Sequence, residues 1–282
     1  MAAASDRIGQ VYGRQFRIDA LIGRGAMADV YRALDLSTAA YVALKVLRHH
    51  LEDLDPAARQ RFMREADVQA VLRHRNIAAL LATGVTPADE PYLVAELLRG
   101  KSLRGVIKSE GRLDPRRAAS YAFQALQGLQ AVHEAGVLHR DLKPANIMLE
   151  PSGTAIDRIV LIDFGFATFE GSAKLTQQGA IVGSLSYIAP ERLRGEEVDH
   201  RSDLYSIGII LFEMLMGAPP FSGSDDFELV EQQLDALPPP LDPALPSELE
   251  TVINRALEKQ QDDRYASAAE MANALQHAVL QL

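Results

Sequence analysis

The chain has 282 residues, which is long enough for one large domain or for two lobes with separate hydrophobic cores. Its 48% hydrophobic and 24% charged residues are typical of a soluble globular protein. A formal net charge of −9 argues against nucleic acid or an anionic membrane as a partner. The absence of cysteine excludes disulfides, thiolate nucleophiles and cysteine-based zinc sites.

The sequence contains no recognisable targeting or membrane segment. Residues 1–7 lack the apolar core of a secretory signal. The longest apolar stretch, 204–216, contains Glu213 and is shorter than the roughly 20 residues that a helix needs to cross a bilayer. We therefore expect a buried core helix at this stretch, and a cytoplasmic chain without membrane contact.

The first third of the chain has the pattern of a β-sheet. Short runs rich in β-branched and aromatic residues predict strands at 16–22, 28–34, 41–47, 78–84 and 92–95. One helix is predicted to interrupt them. Asp55 is a suitable N-cap, Pro56 suits the first helical position, and the helical pattern continues to about Leu72.

Helices dominate after residue 100. Asp114 precedes a proline at the start of a helical pattern that Gly136 ends. Two further pairs have the spacing of capping boxes that open C-terminal helices: Ser247 with Glu250, and Ser267 with Glu270. A strand-rich first third followed by helices predicts an α+β fold with two lobes and a cleft between them.

The segment 22–30, between two predicted strands, contains Gly23 and Gly25. Glycines there let the backbone turn tightly and bring amide N–H groups close to phosphate oxygens. A strand pattern follows, whereas a dinucleotide-binding fold would have a helix at this place. Taken alone, the segment is equally compatible with an ordinary glycine-containing hairpin.

Lys45 stands within the apolar strand predicted at 41–47. An unpaired buried ammonium group is costly, so we expect an anionic partner. Glu65 in the predicted first helix is one candidate, and the phosphates of a nucleotide are another. The alternative is that Lys45 extends into solvent from a strand at the edge of the sheet.

The most informative run is 138–149, which is followed by Asp163 after a strand-like apolar stretch. Asp141, Lys143 and Asn146 lie in a short polar loop between apolar flanks. Phosphoryl transfer requires a carboxylate that orients the attacking hydroxyl, a cation near the moving phosphoryl group, and oxygen ligands for Mg²⁺. These residues supply each part, and a purely structural role would leave their clustering unexplained.

With these motifs in order from about Tyr12 to the C-terminus, the chain resembles a Hanks-type, eukaryotic-like protein kinase of the bacterial serine/threonine branch. The resemblance implies a bilobal kinase-like fold, with a small strand-rich N-lobe, a larger helical C-lobe and the ATP cleft between them. It divides the chain into an N-terminal extension at 1–11, an N-lobe at 12–96 and a C-lobe at 97–282. Lys143, two residues after Asp141, is typical of the serine/threonine subclass.

The implied activity is transfer of the γ-phosphoryl group of ATP to serine and threonine hydroxyls of protein substrates. The resemblance implies that Asp141 orients the hydroxyl, Lys143 neutralises charge on the phosphoryl group, and Asn146 and Asp163 hold Mg²⁺ or Mn²⁺. The remaining catalytic pair would be Lys45 with Glu65. The implied ATP-binding residues are Ile22, Gly23, Gly25, Val30, Ala43, Lys45, Ala95, Glu96, Leu98 and Met148.

The resemblance also assigns structural roles. Glu191 is expected to pair with Arg264. Asp203 is expected to bind the backbone of the catalytic loop, which is the polar loop that contains Asp141, Lys143 and Asn146. Arg140 beside Asp141 should seek an anion, which a phosphorylated activation loop would provide. We expect activation by autophosphorylation within the activation loop at 163–191, with Thr176 as the first candidate site and Ser172 as the second. A homodimer would allow one copy to phosphorylate the other.

Ala28 and Ala95 are among the residues that depart from the family's usual pattern. Ala28 replaces the third glycine of the loop, and Ala95 stands where a bulky gatekeeper is usual. The latter predicts an enlarged pocket behind the adenine site.

Two other classes of function remain open. One is a pseudokinase, an ATP-binding scaffold that signals by conformation, although Lys45, Asp141 and Asp163 are all present. The other is a small-molecule kinase, against which the segment ending at Glu191 argues. His139 is interpreted as a packing residue under Phe164 rather than as a metal ligand or base.

Overall fold

The computed structural model of the chain describes residues 7–25, 27–48, 57–153, 156–164 and 185–280. These residues form two compact units. The small unit lies within Met1–His74 and Ala78–Arg99, and the large unit lies within Arg75–Ile77 and Gly100–Leu282. Strands dominate the small unit and helices dominate the large one, so the predicted α+β order of elements is confirmed.

The small unit contains an antiparallel sheet of six strands in the order β1-β2-β3-β4-β6-β5. Side chains alternate between its faces. In β4, Val42, Leu44 and Val46 are buried in one core cluster, so Ala43 and Lys45 share the opposite face. The strands are β1 Val11–Tyr12, β2 Phe16–Arg24, β3 Ala28–Asp35, β4 Tyr41–Leu47, β5 Leu80–Val85 and β6 Pro91–Glu96.

Strand β5 begins two residues later than the sequence predicts, at Leu80 instead of Ala78. Side chains take the backbone partners that a sheet ladder would use. The carbonyl of Ala78 accepts from Gln69 Nε2 at 2.9 Å, and the N–H of Ala79 donates to Glu96 Oε1 at 3.0 Å. Sequence patterns do not register this kind of competition.

Helix α1 spans Ala58–Val71 and buries Phe62, Ala66 and Gln69 on one face. The chain becomes extended at Leu72, close to the predicted end. The predicted cap, Asp55 with Pro56, lies outside the described residues. The spacing of the buried residues leaves Glu65 beside this face, on the side of α1 that meets Lys45.

The large unit is built on helices that pack around a single hydrophobic cluster, together with a small sheet in the order β7-β8-β9. The strands are β7 Lys101–Ser102, β8 Ile147–Glu150 and β9 Arg158–Leu161. The helices are α2 Leu103–Glu110, α3 Pro115–Glu134, α4 Pro190–Arg194, α5 Arg201–Met216, α6 Asp226–Asp235, α7 Ser247–Ala256 and α8 Ala268–Val279.

The apolar stretch at 204–216 forms most of α5, which is buried along nearly its whole length, as predicted for a core helix. The helix ends at Gly217, whose φ of 82° is left-handed. Among the described residues, no helix combines the length and the apolar character needed to cross a bilayer.

Three of the predicted helix ends are correct, and one is wrong. The Asp114 carboxylate accepts from the N–H groups of Arg116 and Arg117, and the helix ends before Gly136, whose φ is 71°. Ser267 accepts from the N–H of Glu270. The predicted cap at Ser247 is wrong, because Pro246 occupies the N-cap position and Ser247 is already helical. Glu250, its predicted capping-box partner, instead accepts from the N–H of Leu241.

Candidate active site

Lys45 and Glu65 form an ion pair in the small unit. The distance from Lys45 Nζ to Glu65 Oε1 is 2.7 Å, and both side chains are largely buried. Strand β4 lies between β3 and β6, so Lys45 does not extend from a strand at the sheet edge. The pair holds a cation in a defined position on the face of β4 that Ala43 shares.

The glycine segment connects β2 and β3 as a hairpin. Gly23 pairs with Val30, and the N–H of Gly25 donates to the carbonyl of Ala28 at 2.9 Å. Ala28 itself is 2% exposed and packs in a core cluster with Phe62 and Leu93. Its methyl group therefore fills the interior of the small unit, which explains why alanine is accommodated in place of the third glycine.

The small unit's remaining adenine-site candidates lie on neighbouring strands. Ala43 and Ala95 are directly opposite each other on β4 and β6, so they face the same side of the sheet. The N–H of Glu96 donates to the carbonyl of Ala79 at 3.0 Å. A backbone hydrogen bond between Glu96 and an adenine would therefore have to use the Glu96 carbonyl. Leu98, two residues after Glu96, is half-buried. Ile22, in the β2 strand of the hairpin, is exposed.

In the large unit, a cation and an amide both bind the Asp141 carboxylate. Lys143 Nζ lies 2.9 Å and 2.7 Å from its two oxygens. Asn146 Nδ2 donates to Asp141 Oδ2 at 2.8 Å and to the Asp141 carbonyl at 2.9 Å. The single turn of 3₁₀-helix at Pro144–Asn146 makes this approach possible, because it folds the loop back on itself.

Asn146 and Asp163 are brought together by the backbone. The N–H of Ile162 donates to the carbonyl of Asn146 at 3.0 Å, and Asp163 follows with a left-handed φ of 55°. Because the Asn146 amide nitrogen is bound to Asp141, its oxygen is the atom that it can offer to a metal ion. An amide oxygen and a carboxylate suit a magnesium-type ion, which needs few protein ligands. Met148 lies in β8, two residues after Asn146.

His139 is fully buried, and its ring centroid lies 4.8 Å from that of Phe164. Burial lowers its pKa and so favours the neutral ring, although Asp203 and Asp141 act in the opposite direction. Among the described residues, no group of three or more histidine, aspartate or glutamate side chains has a metal-binding arrangement. The ring contact with Phe164 is the contact that the packing interpretation of His139 predicts.

Asp203, in the first turn of α5, binds the catalytic loop through the backbone. Its carboxylate accepts from the N–H of His139 at 2.9 Å and from the N–H of Arg140 at 3.0 Å. It also lies 2.9 Å from His133 Nε2. Burial acts to raise the pKa of Asp203, but the contacts with His133 and the backbone donor outweigh it and hold the pKa below its usual value. Sequence analysis missed His133, which no local motif distinguishes.

Glu191 and Arg264 form a buried, bidentate ion pair. The nitrogens Nη1 and Nη2 of Arg264 lie 2.9 Å and 2.8 Å from the two Glu191 oxygens, and the Ser202 hydroxyl donates to the same carboxylate. Burial acts to raise the pKa of Glu191, but Arg264 and Ser202 outweigh it and hold the pKa below its usual value. The pair joins α4 to the segment that precedes α8. The candidate phosphorylation sites Thr176 and Ser172 lie outside the described residues.

Comparison with known proteins identifies a family match along nearly the whole chain. The model of the protein kinase domain matches residues 16–280. The chain is 36% identical to the probable serine/threonine-protein kinase PknB of Corynebacterium glutamicum, over 95% of this chain and 44% of that protein. It is 39% identical to the serine/threonine-protein kinase PknB of Mycobacterium tuberculosis, over 91% of this chain and 42% of that protein.

A third relative extends this pattern to another organism. The chain is 39% identical to the probable serine/threonine-protein kinase SCO3848 of Streptomyces coelicolor, over 92% of this chain and 39% of that protein. The chain thus spans about two fifths of the length of these curated relatives.

Proposed function

The chain belongs to the protein kinase domain family, and on that premise we propose that it transfers the γ-phosphoryl group of ATP to serine and threonine hydroxyls of protein substrates. The observation that carries this proposal is the Asp141 carboxylate, which Lys143 and Asn146 both bind. The names of the similar actinobacterial proteins support the serine/threonine class. Protein kinases generally use ATP with a divalent metal ion.

In the proposed mechanism, Asp141 orients the substrate hydroxyl and accepts its proton as the oxygen attacks the γ-phosphorus, while the bond from the γ-phosphorus to the oxygen that bridges it to the β-phosphorus breaks and ADP leaves. Lys143, already beside that carboxylate, would neutralise charge on the phosphoryl group during transfer. Asn146 and Asp163 would hold Mg²⁺ or Mn²⁺, which supplies further neutralisation of the phosphate charge. Lys45 would contact the α- and β-phosphates in the orientation that Glu65 maintains.

The adenine and ribose would be held mainly by apolar surface and by backbone atoms. Gly23 and Gly25 would cover the phosphates, since a backbone without side chains can approach them closely. The proposed residues around the base are Ile22, Val30, Ala43, Ala95, Glu96, Leu98 and Met148.

A direct test uses the purified chain with Mg²⁺-ATP and a generic protein substrate, with phosphorylated residues located by mass spectrometry. We expect phosphate on serine and threonine. Tight ATP binding without any transfer would favour the ATP-binding scaffold instead. The replacement of the third glycine by Ala28 does not favour that alternative, because the methyl group is buried in the core.

The small side chain of Ala95 should make the enzyme sensitive to bulky ATP-competitive inhibitors. Ala95→Met would fill the space beside Ala43 that such compounds need, so the half-inhibitory concentration should rise by about 10- to 200-fold. Val85→Met, at an exposed position on β5, is the matched control and should leave inhibition unchanged. Equal sensitivity of the Ala95 variant and the control would show that this position does not limit the pocket.

Phosphorylation of the activation loop should raise activity, because a phosphate group gives Arg140 an anionic partner. Changing Thr176 and Ser172 together to alanine should lower kcat by about 10-fold or more, equivalent to one lost charge-assisted hydrogen bond. Thr251→Ala, on the exposed side of α7, is the control. Full activity of the double variant would contradict the proposal. A rate of autophosphorylation that rises with the square of the chain concentration would indicate transfer between two copies.

A further inference from the structure

The backbone directly before Asp141 forms a strained three-residue turn. The N–H of Asp141 donates to the carbonyl of His139 at 2.9 Å, and the residue between them, Arg140, has a φ of 65°. A hydrogen bond from residue i+2 to residue i with a left-handed central residue defines the rare form of the γ-turn. A residue with a side chain adopts this conformation only where its surroundings enforce it.

Asp203 secures only the first half of this turn. Its carboxylate accepts from the N–H groups of His139 and Arg140, which belong to the peptides before residue 140. In the peptide between Arg140 and Asp141, the N–H is used within the turn, so the Arg140 carbonyl is the atom that can take a contact from outside it.

Arg192 makes that contact. Its Nη1 donates to the carbonyl of Arg140 at 2.5 Å, across 52 residues of sequence. The position of Arg192 is itself well defined, because the preceding residue, Glu191, is anchored by Arg264 in the core. Burial lowers the pKa of Arg192, while the charges of Asp203 and Asp141 act in the opposite direction. Arginine stays charged under these conditions, so the bond to the carbonyl is charge-assisted.

We propose that Arg192 is a positioning residue for phosphoryl transfer, which holds the Arg140–Asp141 peptide and thereby directs the Asp141 carboxylate. This inference rests on the proposed function of Asp141. Arg192 touches neither substrate nor metal in this role, and it acts through Asp141 alone. A displacement of a reacting group by about 1 Å can cost about 100-fold in rate.

The test compares Arg192→Met with Arg194→Met in steady-state kinetics. Arg194 lies on the same helix and also donates to a backbone carbonyl, that of Leu234, so it is a matched control. We expect Arg192→Met to lower kcat by about 10- to 100-fold, with a KM for ATP within about twofold of the parent chain. Arg192→Lys, which keeps one cationic donor, should recover part of the loss. Arg194→Met should behave like the parent chain.

Amide hydrogen exchange of a peptide containing 139–141 tests the contact without relying on activity. Exchange there should be faster in Arg192→Met than in Arg194→Met, with thermal unfolding measured for both to detect general destabilisation. If Arg192→Met leaves both kcat and the exchange rate unchanged, the inference is overturned. It is also overturned if exchange in the two variants is the same while, in Arg192→Met, KM rises by the same factor by which kcat falls. An inactive parent chain would refute the proposed function, and faster exchange would still show that Arg192 holds the turn.

Discussion

Replacing Asp141 with asparagine should lower the rate of phosphoryl transfer by about 100- to 10,000-fold, the usual contribution of a positioned general base. Asparagine has nearly the same shape, so Lys143 and Asn146 keep a partner in the loop, but it neither accepts the hydroxyl proton nor carries a charge. ATP binding should persist, because Lys45 and Glu65 are unchanged. Transfer from Mg²⁺-ATP to a protein substrate, followed by mass spectrometry, measures the first effect, and a nucleotide-binding titration measures the second.

The control for this variant is Asp242→Asn. Asp242 is also in the large unit and also binds a cation, Arg112 at 3.0 Å, but its side chain is 41% exposed and it is remote in sequence from the catalytic loop. The control should transfer phosphate at the parent rate. If Asp141→Asn and Asp242→Asn were equally active, Asp141 would not be the residue that orients the hydroxyl.

Arg264→Met should destabilise the chain by about 3–5 kcal/mol, because it leaves the Glu191 carboxylate buried without its cation. The two side chains are 0% and 2% exposed, so water cannot replace the missing partner. Arg264 also lies 4.9 Å from the ring of Tyr205, and that cation–π contact would be lost as well. Urea denaturation followed by circular dichroism gives the free energy of unfolding.

Two comparisons separate the ion pair from simple loss of packing. Arg112→Met breaks an exposed pair and should change the free energy of unfolding much less, because solvent screens that interaction. Adding Glu191→Leu to Arg264→Met removes the unpaired charge and should recover part of the lost stability. A double variant no more stable than Arg264→Met would show that the cost does not come from the buried carboxylate.

The same pair makes stability depend on pH. The folded chain holds the pKa of Glu191 below its usual value, so the unfolded chain takes up a proton there more readily. The stabilisation from the pair is therefore complete above the unfolded pKa of about 4.3 and is lost as the pH falls through the lower folded value. In Arg264→Met, protonation of the buried carboxylate removes its charge, so the stability gap between parent and variant should narrow on acidification.

The order of elements and most of their bounds could be predicted from local patterns. Alternation of apolar residues locates β4, and an unbroken apolar run identifies α5 as a core helix. Asp114 and Gly136 mark the ends of α3 because their effects act within a few residues. The predicted cap at Ser247 is wrong, since the same local rule does not take Pro246 into account. It also cannot foresee that the Glu250 carboxylate accepts a hydrogen bond from the N–H of Leu241.

The contacts around the catalytic loop are harder to predict, because their partners are far apart in sequence. Asp203 reaches the N–H of His139 across 64 residues, and Arg192 reaches the Arg140 carbonyl across 52. The family resemblance suggested the first of these contacts. No spacing or motif distinguishes His133 or Arg192 from an ordinary surface residue, and only the folded chain brings them to the loop.

The short helix Pro190–Arg194 connects the packing of the large unit's interior with the position of the loop that carries Asp141. Adjacent residues reach in different directions: Glu191 into the interior of the large unit through Arg264, and Arg192 to the loop that carries Asp141. Local opening of this one helical turn would release the loop while the rest of the fold stays intact. Heat inactivation should therefore begin below the melting temperature of the domain. Substitutions that stabilise this helix against local opening should extend the temperature range of activity more than they raise the melting temperature.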